Sequence, residues 1–277
     1  MKIKYLAFVL FAFVIFNVDG QALTIPSEIF DSTGGNNYFK FSANNQIEMG
    51  SRETGTDKRQ KSGTYSLTKD NGIDFLNVRW SNAENEKFLY LLADSKGESK
   101  VFLFLYKQDG DPYFVGAKRG RTASSYYPTY LFYSLTASSY LTENGQEYST
   151  DKLNHRIGEC WVEGVAGNGI GEKLIFEDSF GYSGNPLYIS SGFVSYSKPN
   201  LYRENSRIRK IKITNQSGKS MVVELSDTPH FQTIDLSTLF SGYGSASKYV
   251  LEILEVYPGI KYTDTCVNSI YGLSVAQ

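Results

Sequence analysis

The sequence predicts an all-β protein in two parts, an N-terminal antiparallel meander or small barrel followed by a C-terminal β-sandwich. Three observations carry this prediction. Aromatic residues make up 15% of the 277-residue chain, with 21 Tyr and 18 Phe against 7 Pro, and such residues suit pleated, half-buried surfaces. Short apolar runs recur at close spacing, separated by turns rich in Gly, Asn, Asp and Ser. No amphipathic stretch in the N-terminal half is long enough for a helix, and no helical crossover interrupts the later strands. The net charge of −1 provides no basic field for nucleic acid or anionic lipid.

Residues 1–22 read as a signal peptide. Lys2 and Lys4 precede an apolar run from Tyr5 to Phe16, and the small residues Gly20 and Ala22 follow. The alternative is an uncleaved anchor, although the run is short for a bilayer. No later segment is apolar enough to span a membrane, so the mature chain is expected to be secreted, periplasmic or on the cell surface. Only two cysteines occur, Cys160 and Cys266. In an oxidising compartment they either pair as a disulfide or pack as two separate buried thiols.

Residues 23–118 read as the small antiparallel domain. Its strand candidates are Asn37 to Phe41, Gly63 to Thr68, Asp74 to Trp80, Lys87 to Ala93 and Val101 to Tyr106. Leu76, Val78 and Trp80 alternate with Asn77 and Arg79, the two-residue period of a half-buried strand. Asn-Gly and Asp-Gly pairs between the runs are hairpin signals. The charged stretch from Ser51 to Gly63 has no apolar period and reads as a solvated loop. Residues 119–132 read as a linker, with Lys118, Arg119 and Arg121 as the basic residues around its start. The aromatic run from Tyr126 to Leu135 reads as a strand packed between the domains, or as a cluster that stacks on sugars.

Residues 133–277 read as the sandwich. Its strand candidates are Glu172 to Glu177, Pro186 to Val194, Arg207 to Thr214, Ser220 to Leu225, Phe231 to Leu236 and Tyr249 to Tyr257. Ile211 and Ile213 alternate with Lys210 and Lys212, but Ile208 is out of phase, which predicts a bulge near Arg209. Asn215, in Asn-Gln-Ser, is a formal glycosylation acceptor.

The stretch from Trp161 to Leu174 contains Gly164, Gly167, Gly169 and Gly171 together with Glu163 and Glu172. It fits no phosphate loop. A dinucleotide fingerprint needs a third glycine where Glu172 stands, and no Gly-Lys-Ser/Thr follows. A strand rather than a helix comes next, and the acids repel phosphate. These residues are therefore expected to shape a tight loop at one end of the sandwich. The only histidines, His155 and His230, lack a partner at metal-ligand spacing, and there is no G-x-S-x-G elbow. No metal, cofactor or catalytic set is expected. An enzyme would need a hidden pocket where His155 or His230 meets a carboxylate and a nucleophile.

The segment from Ala137 to Glu177 resembles the discoidin-like glycan-binding domain associated with secreted NAD glycohydrolases. The likeness lies in Trp161, Glu163, Gly164, Gly167, Gly169, Ile170, Gly171 and Glu172, and continues through Ser191-Gly192-Phe193, Tyr202, Asn205-Ser206-Arg207 and Asp264-Thr265-Cys266. It covers roughly the second half of the chain. It implies a galactose-binding-like jelly-roll sandwich with a carbohydrate-binding or surface-attachment role, and no NAD glycohydrolase activity. Two departures stand out: "LNHRIGEC" where members often carry Asp-Gly before the Trp, and Ser-Gly-Phe in place of an Asn-Gly-Tyr turn. The stretch from Gly63 to Leu92 loosely resembles lipocalin-like domains.

On this reading the partner is a glycan or cell-surface ligand. Trp161 or Tyr202 stacks on a sugar face while Glu163, Asn205 and Arg207 bond hydroxyls. The alternatives are structural: Trp161 in the core, and Glu163 paired with Arg207 to hold the loops. A second function class is a protein-interaction module with an exposed aromatic patch around Tyr126 to Tyr133.

Overall fold

The computed structural model describes residues 25–94, 101–120, 126–129, 132–154, 156–178, 186–239 and 247–275. The signal-peptide reading, Arg121 and His155 lie outside these residues. Among them no helix is long and apolar enough to cross a membrane.

Eight strands form the N-terminal part: β1 (Ile29–Ser32), β2 (Asn37–Ser42), β3 (Gln46–Glu53), β4 (Thr56–Asp70), β5 (Ile73–Trp80), β6 (Asn85–Asp94), β7 (Val101–Tyr106) and β8 (Pro112–Lys118). Each pairs antiparallel with the next, and β8 returns to β1 through Phe30 opposite Lys118 and Asp31 opposite Ala117. The meander therefore closes into an eight-stranded barrel. Side chains fill its interior, among them Phe39, Phe41, Leu76, Val78, Trp80, Phe88, Tyr90, Leu103 and Phe114, as a barrel of this strand number allows. Asn71 (φ 50°) and Gly72 (φ 91°) make the two-residue turn from β4 to β5.

Two details depart from the sequence reading. The charged stretch from Ser51 to Gly63 is a β-hairpin, the end of β3 and the start of β4. It has no apolar period because β4 residues Thr56 to Gln60 are all exposed, so backbone bonding and surface ion pairs, not burial, carry that stretch. The basic residues at the end of β8 brace the barrel: Arg119 bonds Asp31 and Asp57, and Lys118 bonds Glu28.

Twelve further strands follow: β9 (Tyr126–Thr129), β10 (Phe132–Ala137), β11 (Thr142–Glu143), β12 (Gln146–Glu147), β13 (Trp161–Val162), β14 (Lys173–Asp178), β15 (Leu187–Ser191), β16 (Ser206–Asn215), β17 (Ser220–Glu224), β18 (Phe231–Ile234), β19 (Ser247–Tyr257) and β20 (Thr265–Val275). A short helix, α1 (Asn200–Glu204), precedes β16. One sheet runs β10–β14–β19–β16–β17 and the other β13–β20–β15–β18. Between them lie Trp161, Leu174, Phe176, Ile189, Ile211, Ile213, Leu251, Val267 and Ile270. This is the two-sheet sandwich the sequence predicts. β9 falls within the stretch read as linker, and it pairs with the far end of β20. The register of β16 against β19 slips around Arg209, where Ile208 and Ile211 both remain fully buried. The shift between Ile208 and Lys210 is reversed between Lys210 and Ile211, so the register is the same on either side of the irregularity.

The barrel and the sandwich share a core. Phe75, Leu89, Leu91, Phe102 and Phe104 on the outer face of the barrel pack against Ile157, Tyr188, Val194, Tyr202, Phe231 and Tyr271 of the sandwich. The rings of Phe104 and Phe231 are 4.8 Å apart, and Phe104 stacks on Tyr271 at 5.9 Å. β18 also adds to β6 in parallel, with Phe231 opposite Ala93. This explains the unbroken apolar runs of β6 and β7, since a strand covered on both faces needs no polar side.

Candidate functional site

The glycine-rich loop closes over a buried carboxylate. β13 places Trp161 and Val162 against Val267 and Cys266 of β20, and the chain then turns with Glu163 facing inward, 0% exposed. One Glu163 carboxylate oxygen accepts the Val165 amide (2.8 Å) and the other the Thr265 amide (3.3 Å). Burial pushes this carboxyl above its ordinary pKa; the two amide bonds pull it partly back, and Asp264 and Glu172 add to the rise. Gly169 has φ +66°, and a Cβ there would meet Glu163 Cγ at 2.5 Å. At Gly164 a Cβ would lie 2.4 Å from the Tyr140 carbonyl oxygen. Gly167 and Gly171 complete the loop at positive φ. The glycines therefore let the backbone wrap a buried acid.

Ser138 and Ser139, which the sequence reading did not single out, hold the outside of this loop. Both hydroxyls donate to the Glu172 carboxylate. Ser139 Oγ accepts the Gly164 amide at 2.9 Å, and the Trp161 indole N–H donates to the Ser139 carbonyl at 3.0 Å. Trp161 is 0% exposed, so its ring is in the core and cannot stack on a ligand.

Tyr202, Asn205 and Arg207 form a second buried group beside α1, away from solvent. Arg207 does not pair with Glu163. Its Nε and Nη2 donate to the two oxygens of Asp227 at 3.0 and 2.9 Å, and its Nη1 donates to the Asn205 carbonyl at 2.7 Å. Tyr202 donates its hydroxyl to Asp227 at 3.1 Å, and Arg203 adds a second cation at 2.9 Å. Burial pushes the Asp227 carboxyl up, but the bonds and charge of Arg207, helped by Arg203 and Tyr202, leave it below the ordinary carboxylate value. The Tyr202 hydroxyl is pushed well up by burial and by the charge of Asp227. Asp227 lies in the short segment between β17 and β18, and no motif marks it. The five side chains expected to meet a ligand are buried in two groups: Trp161 lies in the core, as one structural alternative has it, whereas the Glu163–Arg207 pair of the other does not form.

Cys160 and Cys266 are both buried, free thiols next to Val162. Burial and the neighbouring Cys266 thiol raise Cys160 well above the ordinary thiol range. His230 spans the seam between barrel and sandwich. Its Nδ1 accepts the Leu92 amide at 3.1 Å, so the ring proton sits on Nε2 and faces Asp74 at 3.1 Å. Lys69 lies 3.3 Å from the other Asp74 oxygen. With both nitrogens engaged and 2% exposure, His230 has no position for a nucleophile. Asn215 is also buried, and its side-chain amide donates to the Leu239 carbonyl at 2.7 Å, so it is no accessible glycosylation acceptor. Among the described residues no group of three or more His, Cys, Asp or Glu side chains is placed to hold a metal. The patch expected around Tyr126 to Tyr133 involves side chains outside the described set.

An open cleft does lie at the seam. It has a volume of about 200 Å³ and is lined by Asp109 of the barrel and by Arg156, Glu159, Ser195, Tyr196 and Ser197 of the sandwich.

The family model for the NAD glycohydrolase translocation F5/8 type C domain matches residues 126–272, more than half of the chain. The chain belongs to that family. The match runs from the first residue of β9 to within β20 and includes none of the barrel. The family is named for translocation rather than for catalysis. No curated protein matches. Similar solved structures include the arabinofuranosyltransferase AftD from Mycobacteria, at 11% identity and a TM-score of 0.36, over 55% of this chain and 12% of that one. A glycoside hydrolase matches at 8% identity and a TM-score of 0.35, over 85% and 67%. A DUF4465 family protein from Bacteroides ovatus matches at 15% identity and a TM-score of 0.23, over 89% and 98%. This chain thus spans about an eighth of the arabinofuranosyltransferase.

Proposed function

We propose that this is an exported, non-enzymatic protein that attaches to carbohydrate through its F5/8 type C module. Membership of that family is the observation that carries the reading. The engagement of His230 at both ring nitrogens, with a backbone amide and with Asp74, is consistent with it. The unit proposed to act is the whole barrel and sandwich, since the two share a core. The test is binding of the full mature chain to a glycan array. Retention on at least one glycan, competed by the same glycan free in solution, is expected. An array without signal overturns the reading.

A second reading, docking to a protein partner, has its own support. Val165 and Ile170 on the glycine loop are 40% and 58% exposed, and Ile260 between β19 and β20 is 81% exposed. Thr265 donates its hydroxyl to the Asn168 carbonyl, which ties the two loops to one end of the sandwich. These exposed apolar side chains, on two loops of the sandwich, are the support for a docking role. Partner capture that free glycans do not compete, and that Ile260→Ser abolishes, would favour this reading.

A further inference from the structure

The seam cleft exists only because the barrel is docked on the sandwich. Asp109 sits in the turn between β7 and β8, while Arg156 to Glu159 and Ser195 to Ser197 come from two sandwich loops. Backbone bonds fix these pieces: the Ile157 amide donates to the Gly110 carbonyl at 2.9 Å, and the Gly158 amide donates to the Val194 carbonyl at 2.7 Å. Gly110 has φ +86°, and a Cβ there would lie 2.6 Å from the Ile157 carbonyl oxygen, so this approach requires glycine. Arg156 closes the rim, with Nη2 donating to the Asp109 carbonyl at 3.0 Å and Nη1 to Asp111 at 2.9 Å. The Tyr196 hydroxyl donates to the Lys87 carbonyl on the barrel at 3.3 Å, and the Tyr196 ring meets Phe75 edge-on at 5.5 Å. The walls are thus held before any ligand arrives, which lowers the ordering cost of binding.

The lining selects a chemistry. Asp109 and Glu159 accept hydrogen bonds, Gln108, Ser195 and Ser197 both donate and accept, and almost no apolar surface is exposed in the cleft. The charges around the rim, Asp109, Asp111 and Glu159 against Arg156, the Lys152 that lies 3.5 Å from Glu159 and the Lys87 ammonium 5.8 Å from the Tyr196 ring, balance, which gives an anion no net attraction. Acidic, amide and hydroxyl side chains lining a small polar space suit neighbouring hydroxyl groups on an uncharged molecule. The volume is below that of pockets for drug-sized ligands, roughly 300 Å³ and above, and suits a single ring.

We propose that the seam cleft binds one uncharged, hydroxyl-rich ring, a single sugar residue at the end of a chain. This rests on the carbohydrate reading above and adds a location that needs both domains. The test titrates the full mature chain with D-galactose, D-glucose, N-acetyl-D-glucosamine and, as the anion, inorganic phosphate, followed by saturation-transfer NMR and calorimetry. The wild type is compared with Asp109→Asn, Glu159→Gln and the double variant, each checked for an unchanged melting temperature. The expected result is binding of at least one sugar and no phosphate, with the double variant about tenfold weaker or worse, as loss of hydrogen bonds to charged groups implies. Should either single variant fail to fold, the other carries the comparison. Sugar or array binding that these variants leave unchanged overturns the seam site while the carbohydrate reading stands. Phosphate binding in place of sugar overturns the ligand class. Absence of both sugar and array binding overturns both proposals.

Discussion

At the residue scale, the strongest local commitments are carboxylates that find different partners for different reasons. Asp227 gathers Arg207, Arg203 and Tyr202, and Arg207 is 4% exposed. Removing one partner of such a pair leaves the other uncompensated, so Arg207→Ala is expected to cost about 3–5 kcal/mol in urea unfolding. The Asp227 carboxyl is held low in the folded protein, so its contribution is present above the unfolded carboxylate value of about 4. It is lost as pH falls through the lower folded value. Stability measured against pH should therefore fall more steeply below about pH 4 in the wild type than in Asp227→Asn; equal slopes would remove this account. Glu163 acts in the opposite direction. Its carboxyl is raised, so its contribution is full at low pH and is lost as pH rises through its folded value. Of these residues, the sequence picks out Glu163, Tyr202, Asn205 and Arg207 but not Asp227, which joins the group of the last three. Glu163 bonds backbone amides, which no side-chain pattern reveals, and Asp227 meets Arg207 only once β16 and the segment after β17 are side by side.

At the scale of elements, legibility follows burial. β5 is readable because one face fills the barrel while Asn77 and Arg79 point elsewhere, and the bulge in β16 is readable because Ile208 breaks an otherwise regular alternation. The β3–β4 hairpin is not, since no covered face imposes a period on its charged half. β13 is two residues long, too short for any period, although it positions both Trp161 and one of the cysteines' neighbours. The pairing of β13 with β20 sets Val162 opposite Cys266, and Cys160 and Cys266 lie buried as free thiols. Thiol titration of the native protein should therefore find neither reactive, and titration after unfolding without reductant should find both. Zero thiols after unfolding would mean that the pair is bridged.

At the scale of the molecule, the joint core makes barrel and sandwich one cooperative unit. Phe104 is 1% exposed and packs on both Phe231 and Tyr271. Phe104→Ala is expected to cost about 3–5 kcal/mol while the calorimetric trace keeps a single transition. Two separated transitions in the wild type would contradict a shared core. The sequence shows two β regions and a polar break between them, but the contact between them is hidden in plain runs such as β6 and β7. Those runs are apolar on both faces, and a sequence does not say what covers the second one.

The parallel joining of β18 to β6 has a practical consequence for anyone producing the sandwich alone. Cut away from the barrel, it would present Tyr188, Phe231 and Tyr271 to water, beside a strand with an unpaired backbone edge. Such a surface invites self-association. The F5/8 type C portion of this chain is thus a poor candidate for transplantation into a fusion protein. Its solubility depends on residues that lie outside the family's own boundaries.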